Sequence, residues 1–331
     1  MKKISPSHAP LKQSKVPDLP YNPREYPRET ARHYVSASTE DIQEMLEKVG
    51  FKNMEQLFAH LPNEIKFSEG LNIPEELSYE DATARLFEIS EKTNLLPSFI
   101  GDLLPAWKVD PIVREVSQMR PLSTSYTPYQ PERSQGTLVT HWIYQCVLSA
   151  LTGFEAINTS LYDRSAAIFE AIGCARRSRK RKGAVLLAGS LYKEDISFLE
   201  THAQDTDLSF IISPMCPETG RLDYEALSNI FAKHAGEIAA FVFPQVNCLG
   251  LLEEVDLLTD LTNENKIPSI AVIDPMHLVT GGLKPPSEFG QNGADFIAGE
   301  AQHLAIPPSF GGPGLGLFLG TYQSSVFQNS I

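Results

Sequence analysis

A series of short aliphatic runs, separated by segments of helical pattern, constrains the fold of this chain more than any other feature. The uninterrupted runs cover residues 185–189, 210–213, 239–243 and 269–274. Helices are predicted between them at residues 192–202, 223–234 and 257–265. Continuous β-branched and aliphatic runs are typical of parallel strands buried on both faces. The alternation therefore predicts an α/β fold, with a parallel-sheet domain over residues 98–320.

Two polar sequences follow the last strands of this series. The run 269–274 ends in Asp274, and a further run at 295–299 is followed by Glu300, Ala301, Gln302 and His303. The glycine-rich turn FGGPGLG then leads into an apolar run at 315–320. Ligands of doubly wound sheets bind at the carboxyl ends of the strands. We therefore expect Asp274 and the loops after residues 189, 213, 243 and 299 to form one functional rim.

The order of these polar residues is close to that of a pyridoxal phosphate site. In such sites an aspartate pairs with the pyridinium nitrogen and a lysine forms the Schiff base. Asp274 stands at the position of the acid, whereas Gln302 stands about where the lysine is expected, and an amide cannot form an imine. Lys284 follows Asp274 too closely, in a proline-rich loop, to replace that lysine. We interpret His277 and His303 as hydrogen-bonded structural residues.

The first part of the chain carries no catalytic pattern. Residues 1–34 contain six prolines, a basic excess and no apolar period, which predicts a disordered leader. A mitochondrial transit peptide is the alternative, but the prolines oppose its amphipathic helix. Residues 35–97 are predicted as a helical N-terminal segment. Its helices are expected from Ser38, at Met54–Leu61 and at Tyr79–Ser90, the last with Ala82, Leu86, Phe87 and Ile89 as its buried side.

A non-periodic loop at residues 121–136 combines hydroxyls, tyrosines, prolines, an amide and an acid. Long loops rich in hydrogen-bonding groups often line functional sites. A proline-stiffened surface crossover explains the composition equally well. An apolar helix is predicted at residues 137–151, and a turn at 158–160 is expected to cap the helix that follows it.

The composition excludes several classes of protein. A net charge of −13 argues against a general nucleic-acid binder. No run approaches the roughly 18 apolar residues of a membrane-spanning helix, and no secretory signal is present. The four cysteines are far apart, so we predict neither a metal site nor disulfides. Reduced cysteines are typical of cytoplasmic proteins, so we predict a cytoplasmic location. The basic run 176–182 is interpreted as a solvated helix end.

Four ordered motifs resemble a single family: YTPYQPE-x-SQG, N-x-S-x-YD, P-x-H-L…G-x-LKPP-x-E-x-G and GE-x-Q-x-L-x-IP-x-SFGGP-x-LG. They span Tyr126–Gly316 and are similar to the N-terminal half of the glycine decarboxylase P-protein, which is a separate subunit 1 in many bacteria. The resemblance implies the large domain of a pyridoxal-phosphate-dependent transferase, of the aspartate-aminotransferase-like fold type I. Family members continue into a C-terminal small domain, so residues 321–331 are expected to be a truncated tail with that domain missing.

The resemblance also implies an activity. Together with subunit 2, which holds pyridoxal phosphate on its Schiff-base lysine, such a subunit decarboxylates glycine as an aminomethyl-transferring glycine dehydrogenase. The aminomethyl group passes to the lipoyl group of the H-protein, and activity of this chain alone is not expected. One alternative is a degenerate or truncated subunit that only binds its partner. Another is a self-sufficient transaminase-like enzyme that uses a different lysine.

The resemblance to the family implies roles for specific residues of this chain. No catalytic residue is expected, Gln302 replaces the lysine, and Asp274 is a relic that does not hold the cofactor directly. Arg164 departs from the family, which has glycine there, and is expected to crowd the backbone or to face an anion. The expected substrate or interface residues are Ser125, Tyr126, Thr127, Tyr129, Gln130, Glu132, Asn158, Ser160, Tyr162 and Asp163.

Overall fold

A computed structural model describes most of the chain in two compact units, Met1–Leu95 and Leu96–Ile331. The described residues are 37–66, 72–74, 77–94, 96–97, 107–124, 127–179, 182–279 and 281–321. The predicted leader at 1–34 and residues 322–331 of the predicted tail lie outside these ranges. The domain boundaries drawn from the sequence therefore stay predictions, and each unit is described by itself.

The first unit contains three α-helices among its described residues. They are α1 (Thr39–Lys48), α2 (Met54–Leu57) and α3 (Tyr79–Glu91). The predicted start of α1 is confirmed, because Asp41 N–H donates to Ser38 Oγ at 3.2 Å and Ser38 N–H donates to Asp41 Oδ2 at 2.8 Å. This reciprocal capping box satisfies two N–H groups that the helix itself leaves without partners.

Two predictions for this unit are wrong. Helix α2 ends at Leu57 rather than Leu61, because the chain beyond it makes i→i+3 turn bonds such as Phe58 N–H to Glu55 O. Helix α3 buries none of its residues, and Leu86 and Phe87 are each 67% exposed. An amphipathic pattern provides an apolar face, but burial needs a second element against it, which the described residues of this unit do not supply.

The second unit alternates helices and strands. Its helices are α4 (Pro111–Ser117), α5 (Gln135–Thr152), α6 (Arg164–Arg179), α7 (Lys193–Ala203), α8 (Tyr224–Lys233), α9 (Val255–Glu264), α10 (Met276–Val279) and α11 (Gln302–Ala305). Its strands are β1 (Ala156–Ile157), β2 (Ala184–Ala188), β3 (Phe210–Ser213), β4 (Ile238–Pro244), β5 (Ser269–Ile273), β6 (Phe296–Glu300) and β7 (Gly316–Gly320). The predicted strands and helices are confirmed to within a few residues, and the short β1 was not predicted.

The strands form one seven-stranded sheet in the order β1-β7-β6-β5-β4-β2-β3. Strands β6, β5, β4, β2 and β3 are parallel, as predicted, whereas β7 is antiparallel to both of its neighbours. The predicted α/β sheet is confirmed, and the antiparallel direction of β7 was not predicted. A parallel crossover usually contains a long helix, and the β6–β7 connection holds only the single turn α11 and a glycine-rich turn.

The core lies between the sheet and its covering helices. Every residue of β4 and β5 is buried, as expected for central strands with both faces covered. Helix α5 ends at Gly153, whose φ of +77° is a left-handed conformation that glycine adopts without a Cβ clash. No helix of the described chain is long and apolar enough to cross a membrane.

Two neighbouring leucines of α9 test this arrangement. Leu258 is fully buried in the core, whereas Leu257 is 53% exposed. Leu258→Ala is expected to lower the free energy of unfolding by about 2–5 kcal/mol, because it leaves a cavity. Leu257→Ala is the matched control and is expected to change it by less than ~1 kcal/mol. Urea denaturation of both variants measures the difference, and equal losses would contradict the burial assigned to α9.

Candidate functional site

A cavity of about 130 Å³ opens at the carboxyl ends of the parallel strands. Its described lining is Trp107, Arg164, Tyr192, Val246, Val272, Ile273, Asp274, His277, Glu300, Gln302 and His303. Residues after β2, β4, β5 and β6 contribute to it, as the expected rim requires. The loop after β3 contributes none of these residues. The parallel topology therefore brings together polar groups that are far apart in the sequence.

Asp274 and His303 form a hydrogen-bonded pair across the ends of β5 and β6. His303 Nε2 lies 2.8 Å from Asp274 Oδ1, and the same oxygen accepts the Met276 N–H at 2.8 Å. Burial opposes ionisation of Asp274, but the His303 hydrogen bond, its charge and the Met276 N–H together lower the pKa of this carboxyl. The Asp274 hydrogen bond raises the pKa of His303, against its partial burial. The acid is thus already paired within this chain.

Glu300 connects three elements through its carboxylate. Its Oε1 accepts N–H groups from Ala301 at 3.1 Å, Gln302 at 2.8 Å and Leu315 at 2.8 Å. Its Oε2 accepts the N–H of Arg164 at 3.1 Å, at the start of α6. A carboxylate is a favourable ligand for helix N-terminal N–H groups, which also attract phosphates. Glu300 therefore takes a position at α6 that an anionic ligand could otherwise use.

Arg164 occupies the cavity wall next to Glu300. Its Nε donates to Asp195 Oδ2 at 2.7 Å, and Asp195 is fully buried. Ser165 Oγ donates to the other oxygen of Asp195 at 2.6 Å. The Arg164 guanidinium also lies 4.2 Å above the centre of the Tyr192 ring, a cation–π contact. Of the two expectations for Arg164, the structure supports the second, because the side chain faces a carboxylate.

Asp163, rather than the turn before it, caps α6. Its Oδ1 accepts the N–H of Ala166 at 2.8 Å, the usual bond of an N-cap aspartate. The prediction that residues 158–160 cap this helix is therefore wrong, because the turn lies too far before the first helical residue. Asn158 instead stabilises the turn 158–160, in which its Oδ1 accepts the Ser160 N–H at 3.0 Å.

The remaining sequence-predicted residues lie outside the cavity lining. Ser125 and Tyr126 are outside the described residues. Thr127 accepts a hydrogen bond from Ser134 Oγ through its carbonyl oxygen. Tyr129 and Tyr162 are 88% and 87% exposed, and Gln130 and Glu132 are exposed as well. The structure therefore places the side chains of Tyr129, Gln130, Glu132 and Tyr162 at the surface of this chain.

The segment Tyr162–Asp163 lies against the glycine-rich turn. A Cβ on Gly316 would come within 2.2 Å of the Asp163 carbonyl oxygen, and one on Gly314 within 2.6 Å of the Tyr162 carbonyl oxygen. Only glycine permits this approach. The turn therefore holds the 158–163 segment in place, which explains why the two motifs occur together in one chain.

Sequence reasoning missed two residues of the cavity lining and the carboxylate that pairs with Arg164. Asp195, Tyr192 and Trp107 belong to no motif, and their part in the site became evident only from the fold. One signal was available for Asp195, because an arginine at a position of close packing needs a carboxylate partner. For Trp107, which packs edge-on against His303 with ring centroids 6.2 Å apart, we find no signal in the sequence.

The cavity does not fit pyridoxal phosphate, the cofactor that the family resemblance implies. No lysine is among its described lining residues, and Lys284 pairs with Asp256 at 2.8 Å instead. Gln302 donates through its backbone N–H to Glu300 and cannot form an imine. Asp274 is paired with His303, and the cavity is smaller than the roughly 300 Å³ of common small-molecule sites. Among the described residues there is also no cluster that could hold a metal ion.

The buried ion pair at Arg164 leads to a stability prediction. Asp195→Ala is expected to lower the free energy of unfolding by about 3–5 kcal/mol, because it leaves a partly buried arginine without its carboxylate. Asp207→Ala is the matched control, since Asp207 pairs with Arg176 but is 70% exposed, and it should cost less than ~1 kcal/mol. Thermal and urea unfolding measure both variants, and similar losses would show that Asp195 is not a buried partner.

The Asp274–His303 pair predicts a pH dependence. The raised pKa of His303 stabilises the fold below the ordinary histidine value, and this contribution is lost as the pH rises through the raised pKa. The lowered pKa of Asp274 stabilises the fold above the ordinary aspartate value and is lost as the pH falls. Both contributions are present between about pH 4 and pH 6.5.

The stability difference between the natural chain and His303→Gln should therefore be larger near pH 6 than near pH 9. Urea denaturation at both pH values measures it. His234→Gln, which removes a partly exposed histidine paired with the exposed Glu237, serves as the control and should show little change. A His303→Gln difference that is independent of pH would contradict the pairing.

The comparisons with known proteins agree on one family. The sequence profile of the glycine cleavage system P-protein family matches residues 32–326. A probable glycine dehydrogenase (decarboxylating) subunit 1 of Nitrosomonas europaea is 33% identical over 295 residues, which cover 89% of this chain and 64% of that protein. Its counterpart in Aquifex aeolicus is 32% identical, covering 86% of this chain and 63% of that protein. The chain thus spans just under two thirds of the length of these relatives.

Solved structures confirm the fold class. The crystal structure of glycine decarboxylase (P-protein) in an inhibitor-bound form matches with a TM-score of 0.68 at 30% identity, covering 88% of this chain and 63% of that one. Mouse CSAD in its apo form matches with a TM-score of 0.52 at 15% identity, over 86% and 57% of the two chains, and supports the fold alone. The fold is that of fold type I pyridoxal-phosphate enzymes, and the chain belongs to the glycine cleavage system P-protein family.

Proposed function

We propose that this chain is a subunit 1 of glycine dehydrogenase (decarboxylating), the P-protein of the glycine cleavage system, and that it acts only with a subunit 2. In the proposed reaction glycine loses CO2, and its aminomethyl group passes to the lipoyl group of the H-protein, whose disulfide is reduced as the methylene carbon is oxidised. The partner holds pyridoxal phosphate, which supplies the electron sink for decarboxylation.

One observation carries this proposal: the strand-end cavity has the right fold around it but lacks the lysine that the chemistry needs. Gln302 stands after β6, and the acid at the end of β5 is bonded to His303. A chain of this fold that performs the reaction must therefore use a lysine from a second chain. The curated relatives are named subunit 1, which accords with a two-chain enzyme.

The surface loops are the part of this chain that we assign to the shared site. The exposed side chains of Tyr129 and Glu132 and the turn at Asn158–Asp163 offer hydroxyl, carboxylate and amide groups to a small polar substrate. The family motif assigns four further residues to the same surface loops: Ser125, Tyr126, Thr127 and Gln130. In this role they would orient glycine and exclude water, and none of them would form a covalent bond.

Helix α5 supports the proposal of a protein partner. It contains no charged side chain other than a histidine, and Leu148 on its inner side is buried in the core. Its outer side nevertheless exposes a helical stripe of apolar residues, which we call the α5 stripe. Its members are Val139, Trp142, Ile143 and Val147. Exposed apolar patches of this kind often mark protein–protein contacts, and we assign subunit 2 as the covering chain.

The cytoplasm is the proposed location of this activity. Cys146, Cys174 and Cys216 are free thiols, which suits a reducing compartment. The proposed reaction also implies a second, transient partner. The aminomethyl group needs an acceptor with a disulfide, and we propose that this acceptor is the lipoylated H-protein.

Reconstitution tests the proposed function directly. The chain is expressed with a subunit 2 of the same family, and exchange of the glycine carboxyl group with labelled bicarbonate is measured. We expect a stable complex in which exchange requires both chains, because only the partner provides a lysine. Exchange by this chain alone would contradict the proposal. A complex that forms but does not exchange would instead favour a non-catalytic binding subunit.

The assignment of the α5 stripe has its own test. Trp142→Glu places a charge on the stripe and should weaken the complex with subunit 2 by about 100-fold or more, because an unpaired charge is costly to bury. Leu257→Glu changes an equally exposed leucine on α9 and should leave the affinity unchanged. Biolayer interferometry gives both constants, and wild-type affinity of Trp142→Glu would exclude the stripe from the interface.

A further inference from the structure

The strand-end cavity retains polar groups without partners, although it does not fit pyridoxal phosphate. The two terminal amino groups of Arg164 donate to none of the described residues, because its hydrogen bonds to them use only Nε and the backbone N–H. Asp274 Oδ2 is likewise unused, because both bonds to this carboxylate end on Oδ1. The Nδ1 atom of His277 is buried without any partner.

These unused groups have opposite charges. The Arg164 guanidinium provides a fork of N–H donors suited to a carboxylate. The free oxygen of Asp274 is an acceptor suited to an ammonium group. His277 Nδ1 adds a third polar contact. A ligand that carries both a carboxylate and an amino group matches the charges of Arg164 and Asp274.

The charge balance of the cavity favours a ligand without net charge. Arg164 is balanced by Asp195, Asp274 by His303, and Glu300 is held by four backbone N–H groups. A phosphate would add negative charge beside Asp274 and Glu300, which is unfavourable in a partly desolvated site. A zwitterion places a negative group beside Arg164 and a positive group beside Asp274, and it leaves the net charge of the cavity unchanged.

The size of the cavity restricts the ligand further. Its volume is about 130 Å³, and Trp107 and Tyr192 form its aromatic walls above the apolar residues Val272 and Ile273. This volume is below the roughly 300 Å³ of sites for larger ligands. It is suited to an amino acid with little or no side chain.

We propose that this cavity binds a small zwitterionic α-amino acid without covalent bonding, with the carboxylate on Arg164 and the ammonium group on Asp274. The chain thereby has a ligand site of its own, separate from the surface loops assigned to the shared catalytic site. Only the choice of glycine as the first probe rests on the proposed function. The site is a binding site, and no reaction takes place in it.

Ligand-observed NMR titration of the isolated full chain tests the proposal, with glycine as the probe. We expect saturable binding with a dissociation constant on the order of 1 mM, as suits a ligand of few atoms. Acetate and methylamine carry one of the two charges each and should bind at least roughly 10-fold more weakly. Pyridoxal 5′-phosphate should not saturate the site.

Variants assign the binding to the cavity. Arg164→Lys retains a cation for Asp195 but loses the fork, and it should weaken glycine binding by roughly 10- to 100-fold. Arg221→Gln removes an exposed arginine paired with Glu254 and is the matched control, with unchanged affinity expected. Circular dichroism confirms that each variant is folded, and Asp274→Asn provides a second loss of binding if Arg164→Lys does not fold.

The outcomes separate this proposal from the proposed function. Absence of saturation by glycine up to ~20 mM, unchanged affinity in folded Arg164→Lys, or saturable binding of pyridoxal 5′-phosphate would each overturn the binding site. None of these results affects bicarbonate exchange by the two-chain complex. Conversely, a complex without exchange would overturn the catalytic role and leave saturable, Arg164-dependent glycine binding as it is.

Discussion

The carboxylate of Glu300 holds together the part of the molecule on which the rest of the site depends. It accepts N–H groups from the end of β6, from the chain entering β7 and from the first residue of α6. These bonds fix the β6–β7 connection, whose glycines in turn pack against Tyr162 and Asp163. One partly buried carboxylate thus connects the cavity on one side with the surface turn on the other.

The cavity and the surface loops have separate roles in this account. In the cavity, Asp274 is paired with His303, and the N-terminus of α6 donates to Glu300. The exposed loops and the α5 stripe point to chemistry completed by another chain. Arg164 is accommodated beside the cavity because buried Asp195 neutralises it.

The sequence predicted the strands, the long helices and the rim at the strand ends, because continuous aliphatic runs and the acid after β5 are local signals. It did not predict the antiparallel direction of β7, which depends on the short connection through α11. It also did not predict the exposure of Leu86 and Phe87, because no element among the described residues covers them. Asp195 and Trp107 joined the site only through tertiary packing. Ser125 and Tyr126 remain sequence predictions outside the described residues.

We infer that this chain has the fold of a pyridoxal phosphate enzyme and that the lysine which holds the cofactor belongs to the partner chain. Borohydride reduction of the complex with subunit 2, loaded with pyridoxal phosphate, followed by peptide mass spectrometry, tests it most directly. We expect a stable pyridoxyl-lysine adduct in the partner and unmodified peptides throughout this chain. A stoichiometric adduct on any lysine of this chain, Lys284 included, would contradict it.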